Sequence, residues 1–293
     1  MHITVSRLAA SVALLAALAA TALSGTPAAA SSGAVNKAAA ALVPAKIRAK
    51  GTVTVAADAT YAPNEFIGSN GHSVIGMDAD LAAAIFPLLG LKVKVVNATF
   101  DTIIPGLSSG KFDVGMSSFT DTKAREKVVN FVDYFEAGTS FFEKVSGGPK
   151  VTGLSSLCGL SVAVETGTTE QADATAQKAK CKAAHKKPDN VLAYPTQSSA
   201  NLALSSGRAQ VSMADSPVAA YQVKLNGQFK LVGKSYGTAP YGIAVPKADG
   251  TLDKAILAAL KVLVTNGTYA DLLLKWNVQS GADTHPALNG AIS

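Results

Sequence analysis

Aromatic side chains are scarce in this chain: Phe, Tyr and Trp make up 6% of 293 residues, and Trp occurs once. The 26 Lys and Arg residues are dispersed, apart from the Ala- and Lys-rich segment Lys178 to Lys187, which reads as a solvated helix face. A nucleic-acid surface needs a basic stripe interleaved with stacking aromatics, so that class of partner is excluded. Cysteine occurs only at Cys158 and Cys181, with neither a C-x-x-C redox spacing nor a Cys/His metal-ligand spacing. No metal and no cofactor are therefore expected. Long apolar runs are missing too, with one exception, Leu8 to Leu23. At about 16 residues it falls short of the roughly 20 that a membrane span needs.

That run follows Arg7 and precedes Ala28-Ala29-Ala30 and Ser31, the layout of a secretion signal over 1–30 with an A-x-A cleavage site. A retained anchor is the alternative. Leu23-Ser24-Gly25 opens like a lipoprotein box, but Thr26 stands where the acylated Cys belongs. The mature chain is thus expected outside the cytoplasm, in the periplasm or cell-wall space, without a lipid anchor. In a secreted chain an isolated cysteine pair reads as a disulfide, Cys158 with Cys181, two buried thiols being the alternative. Closing a loop of that size stabilises by about 3 kcal/mol in the chain-entropy model. Without residues 1–30 the chain keeps 25 basic and 20 acidic residues, a charge of +5. Its length of roughly 260 residues suits two small lobes or one large domain.

The central feature is an echo. Leu107-Ser-Ser-Gly-Lys-Phe-Asp-Val-Gly-Met-Ser-Ser-Phe-Thr-Asp-Thr-Lys-Ala-Arg125 is answered 97 positions later by Leu204-Ser-Ser-Gly-Arg-Ala-Gln-Val-Ser-Met-Ala-Asp215. Each copy reads as a helix end, a Gly stop, one basic residue and a short strand running into small polar groups. One repeat is too few for a solenoid. It fits two similar α/β halves, unless Leu-Ser-Ser-Gly recurs by chance as a common helix ending. The first copy offers Ser117, Ser118, Thr120 and Arg125, donors or a cation, and the second offers the carboxylate of Asp215. Donors on one wall and an acceptor on the other suit a zwitterion.

Taken in order, 31–44 reads as a flexible linker and Thr52 to Ala57 as a strand. That strand ends in the loop Asp58 to Phe66, and in open α/β sheets ligands sit at such carboxyl ends. Gly68 to Gly76 has the turn chemistry of a hairpin. Gly76 to Ile85 starts a helix in which Asp78 and Asp80 suit the positive end of the dipole, and Pro87 ends it early. Asp101 is expected to cap the helix that runs to Leu107, with strands at Leu91 to Val96 and Lys111 to Met116 on either side. Ser146-Gly-Gly-Pro149 is the best boundary signal, placing the first crossover near 141–148. Beyond it, Leu160 to Val164 is a strand, and Glu165-Thr-Gly-Thr-Thr-Glu170 opens a helix whose N-terminus, with Gly167, Thr168 and Thr169, could meet an anion. It lacks the phosphate-loop pattern, so a carboxylate is the expected guest. Strands at Val191 to Tyr194 and Gln210 to Met213 follow, with a short one at Phe229 to Val232 and a return crossover at Gly237 to Val245. Two helices and a loose tail close the chain. The expected division is 45–141 and 238–280 for the first lobe, 145–235 for the second, and 281–293 for a flexible tail.

Ordered along residues 46–280 are Asp58-x-x-Tyr61-x-Pro63, Gly76-Met-Asp78-Ala-Asp80-Leu81, Ile103-Ile-Pro-Gly-Leu107, Gly115-Met-Ser-Ser-Phe-Thr120 with Arg125, Gly167-Thr-Thr169, Asp215, Tyr241-Gly-Ile-Ala-Val245 and Asn266-Gly-Thr-Tyr269. Singly weak, in this order and spacing they resemble the extracytoplasmic amino-acid-binding proteins of ATP-driven (ABC) importers. The resemblance implies a two-lobed periplasmic-binding-protein fold of type II, with two crossover strands and a central cleft. It implies an amino-acid ligand, an ABC permease in the membrane as partner, a monomer and no catalytic residue. Arg125 resembles the arginine that takes the α-carboxylate as a bidentate pair. Ser117, Ser118, Phe119 and Thr120 belong to the same ligand-binding stretch, Ser118 and Thr120 as partners of the ligand backbone. Thr168 or Thr169 would meet the carboxylate from the second lobe, and Asp215 would accept from the α-ammonium. Tyr61 would stack on the ligand side chain, and Asp58 and Glu65 would read its polarity. The chain departs from the family pattern at Asn64, where an aromatic is frequent, at Gln210, where Asp is usual, and at Glu170, where a neutral amide is often found.

Two other classes compete. A dehydratase for small carboxylates on the same scaffold would need a placed acid or base. Glu165, Glu170 or Asp58 could serve, while His72, His185 and His285 lie outside the cleft loops. A sensor domain would differ only in its partner.

Overall fold

The computed structural model describes residues 34–225 and 227–292. The expected secretion signal and residues 31–33 of the expected linker lie outside them. The first half of the chain supplies α1 (Lys37–Ala41), α2 (Ala45–Lys50), β1 (Thr52–Ala57), β2 (Thr60–Tyr61), β3 (Glu65–Ile67), β4 (Val74–Ile75), α3 (Met77–Leu88), β5 (Lys92–Asn97), α4 (Phe100–Ser108), β6 (Val114–Gly115) and β7 (Val129–Lys144). Then come β8 (Ser161–Glu165), α5 (Thr169–Ala183), β9 (Asn190–Tyr194), α6 (Gln197–Ser205), β10 (Val211–Asp215), α7 (Ser216–Leu225), β11 (Phe229–Pro246), α8 (Leu252–Thr265) and α9 (Thr268–Lys275).

Eight strands form one mixed sheet in the order β5-β1-β6-β11-β7-β10-β8-β9, and β2-β3-β4 form a small antiparallel sheet beside it. The order is nearly symmetric about its middle. On each side a first strand (β1 or β8) lies between a second (β5 or β9) and a third (β6 or β10), all parallel. The echo strands β6 and β10 are therefore counterparts, each next to one of the long antiparallel strands β11 and β7. This is the two-lobed α/β fold that the repeat implied.

Burial explains the elements. In α3, Leu81, Ile85 and Phe86 are buried against Val53 and Val55 of β1 and Ile256 and Leu260 of α8. The second core gathers Val162, Val164, Val211, Met213 and Phe141. Each such side chain contributes roughly 1.5–3 kcal/mol relative to exposure. Gly76 precedes α3 with φ 130°, and a Cβ there would strike the backbone of Asn64 and Glu65. That close approach lets Met77 and Asp78 donate to the carbonyls of Pro63 and Asn64. Pro87 lies in the last turn of α3, which ends at Leu88. Cys158 and Cys181 form a disulfide that ties the turn after Leu157 to α5. Among the described residues no single helix is long and apolar enough to cross a membrane.

Four expectations change. The crossover lies before 141: β7 runs unbroken through both halves and already pairs with β10 at Thr139. Ser146-Gly-Gly-Pro149 marks the end of that strand, and an extended chain passes between the halves with no change in composition. The expected strand at Phe229 and the return crossover are one element, β11, with register shifts between Val232 and Tyr236 and between Tyr236 and Ala239. The linker holds α1, capped by Asn36, because Ala39 and Val43 bury in the first core. The tail is not loose either. β10 covers β7 only at Phe142 to Thr139, which leaves open N–H groups further back. Phe131 donates to Asn289 Oδ1 at 2.7 Å and Asp133 to the Ala287 carbonyl at 2.9 Å, while Gly290 donates to Asp133 Oδ2 at 2.8 Å.

Candidate functional site

Strand ends from both halves converge on one cavity. Asp58 follows β1, Ser117, Ser118 and Thr120 follow β6, Glu165 ends β8 and Asp215 ends β10. Thr168, Thr169 and Glu170 come from the start of α5, Phe100 from the start of α4, and Tyr61 and Arg125 complete the lining. The halves are closed on each other, and the enclosed space is about 10 Å³, room for the centre of a single water.

The first wall is held by hydrogen bonds. Asp58 accepts from the Thr60 hydroxyl at 2.6 Å and from the Phe100 N–H at 3.0 Å. The second bond caps α4, the place expected for Asp101. Thr99 occupies the N-cap position without a side-chain capping bond, and Asp101 sits in the first turn. Ser117 Oγ accepts from Asp58 N at 2.8 Å and donates to Glu65 Oε1 at 3.0 Å. Ser118, in the left-handed region with φ 47°, donates its N–H to Asp78 Oδ2 at 2.8 Å and its hydroxyl to Glu65 Oε2 at 3.2 Å. Tyr134 OH donates to the other Asp78 oxygen at 2.7 Å. These bonds hold a backbone conformation that a serine rarely adopts.

Arg125 follows in a short 3-10 turn. Its Nη1 donates to the Thr120 carbonyl at 2.7 Å, and its Nη2 crosses the cleft to the Gly167 carbonyl at 3.0 Å. The guanidinium lies over the rings of Phe100 and Phe119, at 5.3 and 5.5 Å. On the second wall, Thr168 is the N-cap of α5, accepting from Gln171 N at 3.1 Å. Glu170 accepts from the Thr139 and Thr169 hydroxyls at 2.7 and 3.2 Å. Glu165 Oε1 accepts from Gln197 N at 3.0 Å. Asp215 accepts from Tyr61 OH at 2.9 Å and returns its own N–H to the same oxygen at 3.0 Å, a bond between the halves.

The electrostatics are lopsided. Asp58, Glu165, Glu170 and Asp215 are all buried around one guanidinium. Burial, with Asp58 facing it, pushes Glu165 up to about 9. Burial and the neighbouring Glu170 raise Asp215 well above the carboxylate range, and burial raises Asp58. Desolvation without enough positive charge favours the neutral acid.

Two expected ligand residues stand behind the wall. Glu65 is fully buried, and both its oxygens are taken by Ser117 and Ser118. Phe119 turns into the core and stacks on Phe100 at 4.5 Å. Tyr61 reaches Asp215 with its hydroxyl, a contact the expected stacking role did not include. Phe100 lines the cavity without having been expected there, and Glu165 and Glu170, named only as acid or base candidates of the dehydratase alternative, line it too. The family comparison could point to Glu170 only as an odd residue at its position, and Glu165 had a signal as the last residue of a strand. Asp78 does more than complement a dipole, since it fixes Ser118. Its neighbour Asp80 instead accepts from Lys275 Nζ and Trp276 Nε1 at 2.6 and 2.7 Å.

Comparison with known proteins agrees with this geometry. An arginine-binding protein of Corynebacterium glutamicum is 33% identical over 82% of this chain and 79% of its own. An ancestral arginine-binding protein bound to arginine superposes with TM-score 0.71 at 38% identity, covering 77% of this chain and 98% of that one. An ancestral amino acid-binding protein, a precursor of cyclohexadienyl dehydratase, superposes with TM-score 0.71 at 35% identity over 79% and 97%. The family described as bacterial extracellular solute-binding proteins, family 3, matches residues 53–279. With strand ends from two mirrored halves meeting at one charged cavity and a family match over most of its length, this chain belongs to the bacterial extracellular solute-binding proteins of family 3.

Proposed function

We propose that this protein captures an amino acid with a cationic side chain, arginine or lysine, and delivers it to an ABC importer. The observation that carries the reading is the excess of buried carboxylates, four around a single guanidinium. Arg125 takes the α-carboxylate in place of its two carbonyl partners, with Ser118 and Thr120 beside it and the α5 N-terminus at Thr168 and Thr169 opposite. Asp215, with Glu170, receives the α-ammonium, and Asp58 with Glu165 receives the side-chain cation. Burying a zwitterion requires partners for both charges at once, which is why they come from different halves. The cavity is too small for an amino acid as it stands, so entry requires the halves to part along β7 and β11, and the ligand favours their closure by bridging them. The names of the arginine-binding relatives support the cationic choice.

The protein acts as a monomer outside the cytoplasm, exported by its N-terminal signal and not tethered by lipid. It is a binding protein and not an enzyme. A dehydratase would use Glu165, the raised acid of the cleft, as a proton donor, and a turnover assay on prephenate-like acids tests that reading. The direct test is calorimetric titration of protein stripped of ligand by unfolding and refolding, against all twenty amino acids. A basic amino acid is expected as the tightest ligand, and tighter binding of a neutral or acidic one overturns the cationic assignment.

A further inference from the structure

We propose that Asp58 and Glu165 share one proton until a cationic side chain enters between them and then release it to solvent, so that Glu165 is a specificity-determining residue. The inference rests on the cationic reading above. Asp58 directly follows β1 and Glu165 ends its counterpart β8, one in each half, and each is about 2% exposed. Both line the cavity. A short hydrogen-bond chain joins them. Thr60 Oγ1 donates to Asp58 Oδ1 at 2.6 Å and accepts from Gln197 N at 3.2 Å, and the same N–H donates to Glu165 Oε1 at 3.0 Å.

Among the described residues no cation serves this pair. Arg125, the only Lys or Arg lining the cavity among the described residues, directs its two terminal nitrogens to the Thr120 and Gly167 carbonyls. The other ionisable groups that face the pair are acids or phenols: Glu65 behind Asp58, Glu170 at the start of α5, Asp215 at the end of β10, and Tyr61. Two buried carboxylates with no counter-ion do not ionise together, in keeping with the rise of Glu165 to about 9. A guanidinium or ammonium supplies the missing charge, the pair ionises fully, and its proton leaves for the buffer. A neutral side chain leaves the proton in place and gains no ion pair. Because the ligand binds the deprotonated pair, affinity for a cationic ligand rises with pH toward the folded pKa. The limit is about tenfold per pH unit for one proton.

Titrating arginine into the refolded protein at pH 7, in two buffers of different ionisation enthalpy, counts the protons released. Glu165→Gln, which keeps an acceptor for the Gln197 N–H, is expected to release about one fewer. It should also flatten the fall of Kd between pH 6 and 8. Asp58→Asn is expected to reduce the count in the same way and keeps the test open if the first variant fails to fold, which circular dichroism reports. Equal proton counts in wild type and variants overturn the inference while leaving arginine as the ligand. Wild-type protein that binds a neutral amino acid but not arginine overturns the cationic reading itself, and this inference with it.

Discussion

The two halves share a strand plan and differ in what their strand ends present. After β6 the first half offers hydroxyls and Arg125, and at the end of β10 the second offers Asp215, with Glu165 and Glu170 beside it. The first half is not short of acids. Glu65 and Asp78 are fully buried there, but they face away from the cavity and hold Ser117 and Ser118. Apart from Asp58, which lines the cavity, the buried carboxylates of the first half build its donor wall, whereas those of the second half are the acceptor wall. A repeated scaffold can thus carry opposite polarity by changing which end of a hydrogen-bond network meets the ligand.

The strongest break of this contrast removes Arg125, the one Lys or Arg lining the cavity among the described residues. Arg125→Ala is expected to weaken arginine binding by roughly 3–5 kcal/mol, since the ligand carboxylate then lies buried without a partner. Calorimetry reads the loss, and near-unchanged affinity would remove Arg125 from the carboxylate role. The acid excess of the second wall should appear as a pH dependence of stability. Glu165 has a folded pKa of about 9, above its unfolded value, so the folded state binds more protons. Stability from this group is present below the unfolded value near 4.5 and is lost as pH rises toward about 9. Ligand-free protein should therefore melt at lower temperature at pH 8.5 than at pH 5.5, and Glu165→Gln should shrink that difference. A wild-type midpoint that rises over this range would show that other groups dominate. The smallest effect is expected at the bridge between the walls. Tyr61→Phe removes the hydroxyl that donates to Asp215 and accepts from its N–H, costing about 1–2 kcal/mol of closed-state stability. Small-angle scattering of the ligand-free variant should then show a larger radius of gyration than wild type.

Much of the fold was legible because burial leaves a periodic trace. The alternation of Thr52 to Ala57 and the spacing of Leu81 and Ile85 gave β1 and α3 their places. The echo of Leu107 and Leu204 marked the counterpart strands. Part of the site was equally open to reading: Asp58, Tyr61, Ser117, Ser118, Thr120, Arg125, Thr168, Thr169 and Asp215 all reach the cavity. Where the reading failed, the deciding partner was distant. Phe100 N is capped by Asp58, 42 positions away, and Glu65 is claimed by Ser117, 52 positions away. The tail is held by an open edge of β7 that no local pattern near Asn289 announces.

Local residue patterns suffice for the order of helices and strands, the two-fold plan and the supply of charges near the strand ends, because local propensity, hydrophobic period and turn chemistry act over a few residues. Which acids face the cavity depends instead on contacts between distant segments. Glu65 opens β3 and Glu165 closes β8, yet the hydroxyls of Ser117 and Ser118 hold one behind the wall, while Gln197 N holds the other at the cleft. A buried carboxylate goes where donors are, and those donors are brought to it by strands far away in the chain.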